Sequence, residues 1–232
     1  MRRPEAGFGL IELMLSLGLG LLVVLGLTEV FLSARETYAS QRSSASLQED
    51  ARYVLSKIAQ EVRMVGMFGC LSTDRIIDAP SAFQRPISWQ GPKGSRSLHM
   101  ISADIGLQGA KPDWTVISDC TTFAQAYSGA RLSLAPGEIA FALRELHYRF
   151  ENGQLKSGAN NNAVLLDNVA AFDVSFGVAD SSSTQSVLRY EDSPADVAGI
   201  RSVRIALVLR DPGGRVKDQG YNVLVALRNR LA

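Results

Sequence analysis

The sequence predicts an α+β protein: one long N-terminal helix packed on a mainly antiparallel β-sheet head. Three observations carry that expectation. The stretch GFGLIELMLSLGLGLLVVLGL, residues 7–27, is almost wholly apolar and holds a single carboxylate, Glu12. Over residues 33–65 there is no proline and no glycine, and Leu47, Ala51, Val54, Leu55, Ile58, Val62 and Val65 recur every three or four positions, the spacing of one helix face. Beyond residue 69 the pattern changes to short alternating segments bounded by Gly, Pro, Asn and Asp, which is how strands and turns read.

The apolar run is the one stretch of the chain that reaches the ~20 residues needed to cross a bilayer. It exceeds the ~7–15-residue apolar core of a secretory signal peptide, and no small-residue cleavage site follows it. Arg2 and Arg3 precede it, while the following flank, SARETYASQ, is mixed in charge. By the positive-inside rule the N-terminus stays cytoplasmic and the rest is exported. A helix from residue 8 to about 65 would be roughly 85 Å long. Its first half, 8–32, is apolar all round; its second, 33–67, is amphipathic, with Gln48, Glu49, Arg52, Lys57, Gln60, Glu61 and Arg63 on a solvated face. A coiled coil is the alternative for that stripe, which is too short for several heptads. Gly18, Gly20 and Gly26 offer local flexibility or close packing. The helix is expected to stop at VGMFGC, where Gly66 and Gly69 punctuate.

Residues 68–232 are expected to form the β-rich head. RSLHMIS (96–102) and WTVIS (114–118) are candidate strands. EIAFALRELHYRFENGQLKS (138–157) alternates around Asn152-Gly153, a two-residue hairpin turn. NAVLLDNVAAFDVSFGV (162–178) reads as a short strand and then a longer one; IRSVRIALVLRD (200–211) is the clearest strand, and DPGG turns it towards YNVLVALRNR (221–230). Short connections imply antiparallel pairing. The Ser-rich stretch 180–196 is expected to be a solvated surface loop. Its acids Asp180, Glu191, Asp192 and Asp196 lack EF-hand spacing, so no cation site is assigned to them.

A net charge of +1 gives no electrostatic case for nucleic acid. The two histidines, His99 and His147, fall in expected strands and read as structural residues. With no CxxC and no His/Cys cluster, no metal and no cofactor is expected. No G-x-S-x-G is present, and GFGLIE lacks the third glycine of a dinucleotide motif. Trp89 and Trp114 read as core or loop anchors. The chain therefore reads as an assembly protein without catalytic residues. Cys70 and Cys120 both lie beyond the apolar run. In an exported head oxidation is the default, and a bridge closing a loop of about 50 residues is worth about 4 kcal/mol in the chain-entropy model. The alternative is two free thiols in a cytosolic domain.

EAGFGLIELMLSLGLG resembles the type IV prepilin signal, also called a class III signal. In that family a short basic leader ends in Gly, a membrane-embedded prepilin peptidase cuts after it on the cytoplasmic side, the new first residue is N-methylated, and a Glu stands fifth in the mature chain. Here Gly7, Phe8 and Glu12 fit those positions; Gly9 stands where Thr or Ser is commoner, and Glu29 where many major pilins have Pro. The resemblance implies a leader at 1–7, cleavage between Gly7 and Phe8, and N-methylation of Phe8. It also implies that Glu12 pairs with the terminal amine of a neighbouring subunit and sets axial register. A charge at the bilayer centre costs at least ~2.5–3.5 kcal/mol, so such a group is normally paired; the alternative is a Glu12 that snorkels to the headgroups.

Within that class, VFLSARETYASQRSSASLQEDARYVLSKIAQEVRMVGMFGC resembles the PilW family of minor pilins through Leu47, Gln48, Glu49, Arg52 and Tyr53 and through the helix exit Arg63, Met64, Gly66, Gly69 and Cys70. LLDNVAAFDVSFGV resembles that family's middle β segment. The likeness is close over 1–70 and looser beyond. It implies a type IV pilin-like fold and a low-copy subunit that primes pilus assembly and sits at the tip, supporting twitching motility, adhesion and DNA uptake. Implied partners are other minor pilins, the major pilin, the inner-membrane assembly platform, a tip adhesin and the prepilin peptidase, with no direct nucleic-acid binding. The implied location is the bacterial inner membrane, single-pass with a periplasmic head, and then the pilus (fimbrium). Two alternatives stand beside it: a minor pseudopilin of a type II secretion system, and a signal-anchored periplasmic binding domain or enzyme. The RMVGMFGC exit and the two cysteines favour the minor pilin.

Overall fold

The computed structural model describes residues 9–92, 95–104, 111–131, 133–158, 163–180 and 186–229. The leader, Gly7 and Phe8 lie outside the described residues. Helix α1, Leu10–Arg63, is unbroken over 54 residues, about 81 Å at ~1.5 Å per residue. It stops two residues before the expected position. Met64 caps it, and Gly66 then takes φ 73°, a left-handed conformation open to glycine at no steric cost. Val65 is already drawn into a bridge with Ser102.

Eleven strands follow among the described residues, in two sheets. The first contains β1 (Ile87–Gln90), β2 (Ser97–Ala103), β3 (Trp114–Ser118), β4 (Ala124–Ser128), β5 (Ile139–Glu151), β6 (Gln154–Ser157) and β7 (Ala163–Leu166), in the order β1-β2-β5-β3-β4, with β6 pairing both β5 and β7. The second contains β8 (Val169–Val178), β9 (Arg189–Glu191), β10 (Ile200–Leu209) and β11 (Gln219–Ala226), in the order β11-β10-β8-β9. Every ladder is antiparallel, as the short connections required. Asn152 and Gly153 both have positive φ, 51° and 74°, the signature of the type I′ hairpin turn expected from their sequence. The pattern missed β1, β4 and β9. They are three to five residues long. β9 lies inside the stretch read as a loop: its Tyr190 pairs with Gly177 of β8.

The second half of α1 lies across both sheets. Its apolar stripe, from Leu47 through Val62, joins one cluster with Trp89, Leu98, Met100, Tyr148, Leu155, Phe172, Val174, Phe176 and the inner residues of β10, Val203, Ile205 and Leu207. Trp89 of β1 meets Phe172 of β8 edge-to-face, ring centroids 5.7 Å apart, tying one sheet to the other. A second cluster covers part of the opposite face of the seven-stranded sheet, where Phe68, Ile76 and Phe83 pack on Ile101, Val116 and Leu143. Cys70 and Cys120 form a disulfide there, Cα atoms 5.3 Å apart. It fastens the chain leaving α1 to the turn between β3 and β4.

One residue of the expected solvated face is not solvated. Glu61 is buried, accepting from Lys57 Nζ at 2.5 Å and from the Tyr148 hydroxyl. β5 crosses the helix at this level, and the buried Tyr148 needs an acceptor. Burial, with the Glu61 carboxylate beside it, pushes the Tyr148 hydroxyl far above its ordinary value, so it remains a donor.

Candidate functional site

The first half of α1 has the opposite surroundings. Every residue from 10 to 38 is exposed; Leu10 is 81% exposed, Leu21 62% and Phe31 66%. Soluble monomers rarely expose more than a few hundred Å² of contiguous apolar surface. A helix this long and apolar can cross a membrane. Leu10 to Leu32 spans roughly 34 Å, close to the ~30 Å of a bilayer's hydrocarbon. The few polar side chains are neutralised locally. Ser16 Oγ donates to the Leu13 carbonyl at 2.9 Å and Thr28 Oγ1 to the Val24 carbonyl at 2.7 Å, hiding hydroxyls against the helix's own backbone. Glu29, Arg35, Glu36 and Tyr38 follow at the far end, where charged and aromatic tips reach an interface.

Glu12 occupies the third position of α1. Its Oε2 accepts the N–H of Gly9, the N-cap residue, at 3.0 Å. The carboxylate is turned back towards the helix start, where free N–H groups and the positive end of the helix dipole favour an anion. The geometry therefore presents an anion at the entry of the apolar segment, with one backbone donor engaged.

The acids of the 180–196 stretch go to other partners. Asp192 Oδ2 accepts from Arg96 at 3.0 Å, Glu191 pairs with Arg189, and Asp196 Oδ1 accepts the Ala198 N–H at 2.9 Å. Trp89 is buried and Trp114 half-buried in the two clusters. His99 and His147 are not core residues. They stand opposite each other on β2 and β5, half-buried on the face turned away from α1, with ring centroids 4.1 Å apart. Burial, then the neighbouring His147, lowers the His99 imidazole below its ordinary value. Glu145 lies beside them. The strand pairing that assembles this trio left no local motif to read.

No protein-family model, curated protein or solved structure matches this chain.

Proposed function

We propose that this protein is a PilW-type minor pilin of the type IV pilus: a low-copy, membrane-inserted assembly subunit, not an enzyme, that primes pilus formation and resides in the tip complex. The observation that carries the reading is the division of α1. Residues 10–38 are exposed throughout and almost wholly apolar up to Leu32, while Leu47 to Val62 form the spine of a folded head. A subunit that waits in a bilayer and then exchanges lipid for neighbouring helices needs that division. Glu12, near the helix start, supplies a directional contact that lipid cannot satisfy. In this reading, cleavage after Gly7 creates an amine at Phe8, and Glu12 of one subunit pairs with the amine of the next. The partners are other minor pilins, the major pilin, the inner-membrane platform and a tip adhesin.

The test is the intact mass of the membrane-extracted protein from cells that contain a prepilin peptidase. The expected mass lacks residues 1–7 and carries one added methyl group. A mass that retains Met1 to Gly7 overturns the reading. Glu12→Ala is expected to leave membrane insertion and cleavage intact, since a charge has been removed from the bilayer. It is expected to abolish co-purification with other minor pilins and to reduce surface pili. Normal complexes and normal piliation with this variant as the sole copy would exclude Glu12 from assembly.

A further inference from the structure

The geometry points to a divalent transition-metal site, of the type that takes zinc, formed by His99, Glu145 and His147 on the face of the seven-stranded sheet turned away from α1. The placement follows from register. His99 on β2 and His147 on β5 are directly opposed, which puts their Cβ atoms about 4.5–5.5 Å apart. Glu145 precedes His147 by two positions and so shares its face. The three side chains offer ligand atoms that all lie within 4.8 Å of one another.

Those distances suit a small cation. Bonds of about 2.0–2.2 Å in a tetrahedral site place donor atoms roughly 3.3–3.6 Å apart. His147 Nε2 and Glu145 Oε1 are already 3.2 Å apart. The remaining separations, none above 4.8 Å, reach the tetrahedral spacing by side-chain adjustment of roughly an ångström. His147 Nε2 is also buried, and its contact with Glu145 Oε1 lacks hydrogen-bond geometry, although buried polar atoms nearly always have a hydrogen-bond partner; a metal bond satisfies it.

The donor set selects the ion. Two imidazoles and one carboxylate suit zinc and its late first-row neighbours; calcium and magnesium prefer oxygen alone. Three protein ligands leave a fourth position for water, and the exposed side of Glu145 opens it to solvent. Arg149 follows His147 on the same strand face and its charge opposes a cation, which sets the affinity below that of an enclosed structural site. The inference does not depend on the pilin reading.

The experiment uses the full chain in detergent micelles, stripped with chelator and titrated with zinc chloride, and follows thermal unfolding of the head. At a zinc concentration a hundred times the Kd the midpoint is expected to rise by about 5–10 °C. His99→Phe keeps the ring packing and removes a ligand; it is expected to abolish the rise while leaving the metal-free midpoint within a few degrees. Glu145→Gln, at an exposed position, is expected to weaken zinc at least tenfold. Cobalt(II) added to the unaltered protein is expected to give the intense visible bands of four-coordinate cobalt, a readout independent of any variant's folding. No zinc-dependent rise in the unaltered protein, an equal rise in His99→Phe and Glu145→Gln, or the absence of those cobalt bands overturns the site.

Discussion

The two halves of α1 share one backbone conformation and have opposite causes of stability. Residues 47–62 are helical because one stripe of their surface is buried between two sheets: Val54, Ile58 and Val62 are fully buried. Residues 10–38 are exposed throughout and take no part in either apolar cluster, so within the protein their helix rests on intrinsic propensity; a bilayer, where nothing competes for backbone hydrogen bonds, would add to it. Helix length alone says little about a fold. What matters is which medium each half is shaped to meet, and whether damage to one half is felt by the other.

A charge placed in each half is expected to have opposite consequences. Ile58→Asp buries an unpaired carboxylate in the main core and is expected to cost more than about 4 kcal/mol, enough to unfold the head. Leu21→Asp is expected to leave head stability unchanged and to penalise membrane insertion by ~2.5–3.5 kcal/mol. Denaturant unfolding read from buried Trp89, beside alkaline extraction of membranes, separates the two. If Leu21→Asp destabilised the head, the halves would not be independent.

Next in size is the disulfide. Cys70→Ser is expected to destabilise the head by about 2–5 kcal/mol, seen as a lower denaturant midpoint. Reduction of the unaltered protein should reproduce the loss, because the bridge holds the segment leaving the spine and not the apolar half.

Glu61 tests how dry the spine is. Glu61→Ala leaves the buried Tyr148 hydroxyl without its acceptor and is expected to cost about 1–3 kcal/mol. Tyr148→Phe should cost less, since Glu61 keeps Lys57. A double-mutant cycle by denaturant unfolding measures the coupling; additive losses would mean that the two side chains do not interact.

Acid is expected to act on the head, which holds the carboxylates with lowered pKa. Three backbone N–H groups, from Thr121, Thr122 and Phe123, hydrogen-bond Asp119 Oδ1 at 2.8–2.9 Å and hold that carboxyl well below the usual range. Arg215 does the same for Asp211. A group whose folded pKa is depressed contributes stability that is present above the unfolded value, ~3.9, and is lost as pH falls through the folded value. The share of head stability contributed by these two carboxylates is therefore expected to be flat near neutrality and to fall below about pH 4. Asp119→Asn should flatten part of that fall in pH-dependent unfolding. The smallest effect is reserved for the apolar half: Ser16→Ala and Thr28→Val are expected to change head stability by less than about 0.5 kcal/mol, since each hydroxyl bonds only its own helix.

Much of this molecule was legible because its signals are local. The apolar run, the stripe from Leu47 to Val65, the Asn152-Gly153 turn and the alternation through β10 each follow from a period or a dihedral preference carried by a few adjacent residues. The Cys70–Cys120 pairing could be read because the chain has two cysteines and one possible bridge. Tertiary structure decided the rest. Glu61 lies on the polar side of its helix by sequence, yet Tyr148, 87 residues away, removes it from water and becomes its partner. His99 looked like a solitary strand residue until the β2–β5 register set it against His147 and Glu145. Periodicity says which face of an element is apolar, but the neighbours of a polar side chain depend on which strands pair and in what register, and that is settled by long-range packing of the whole head.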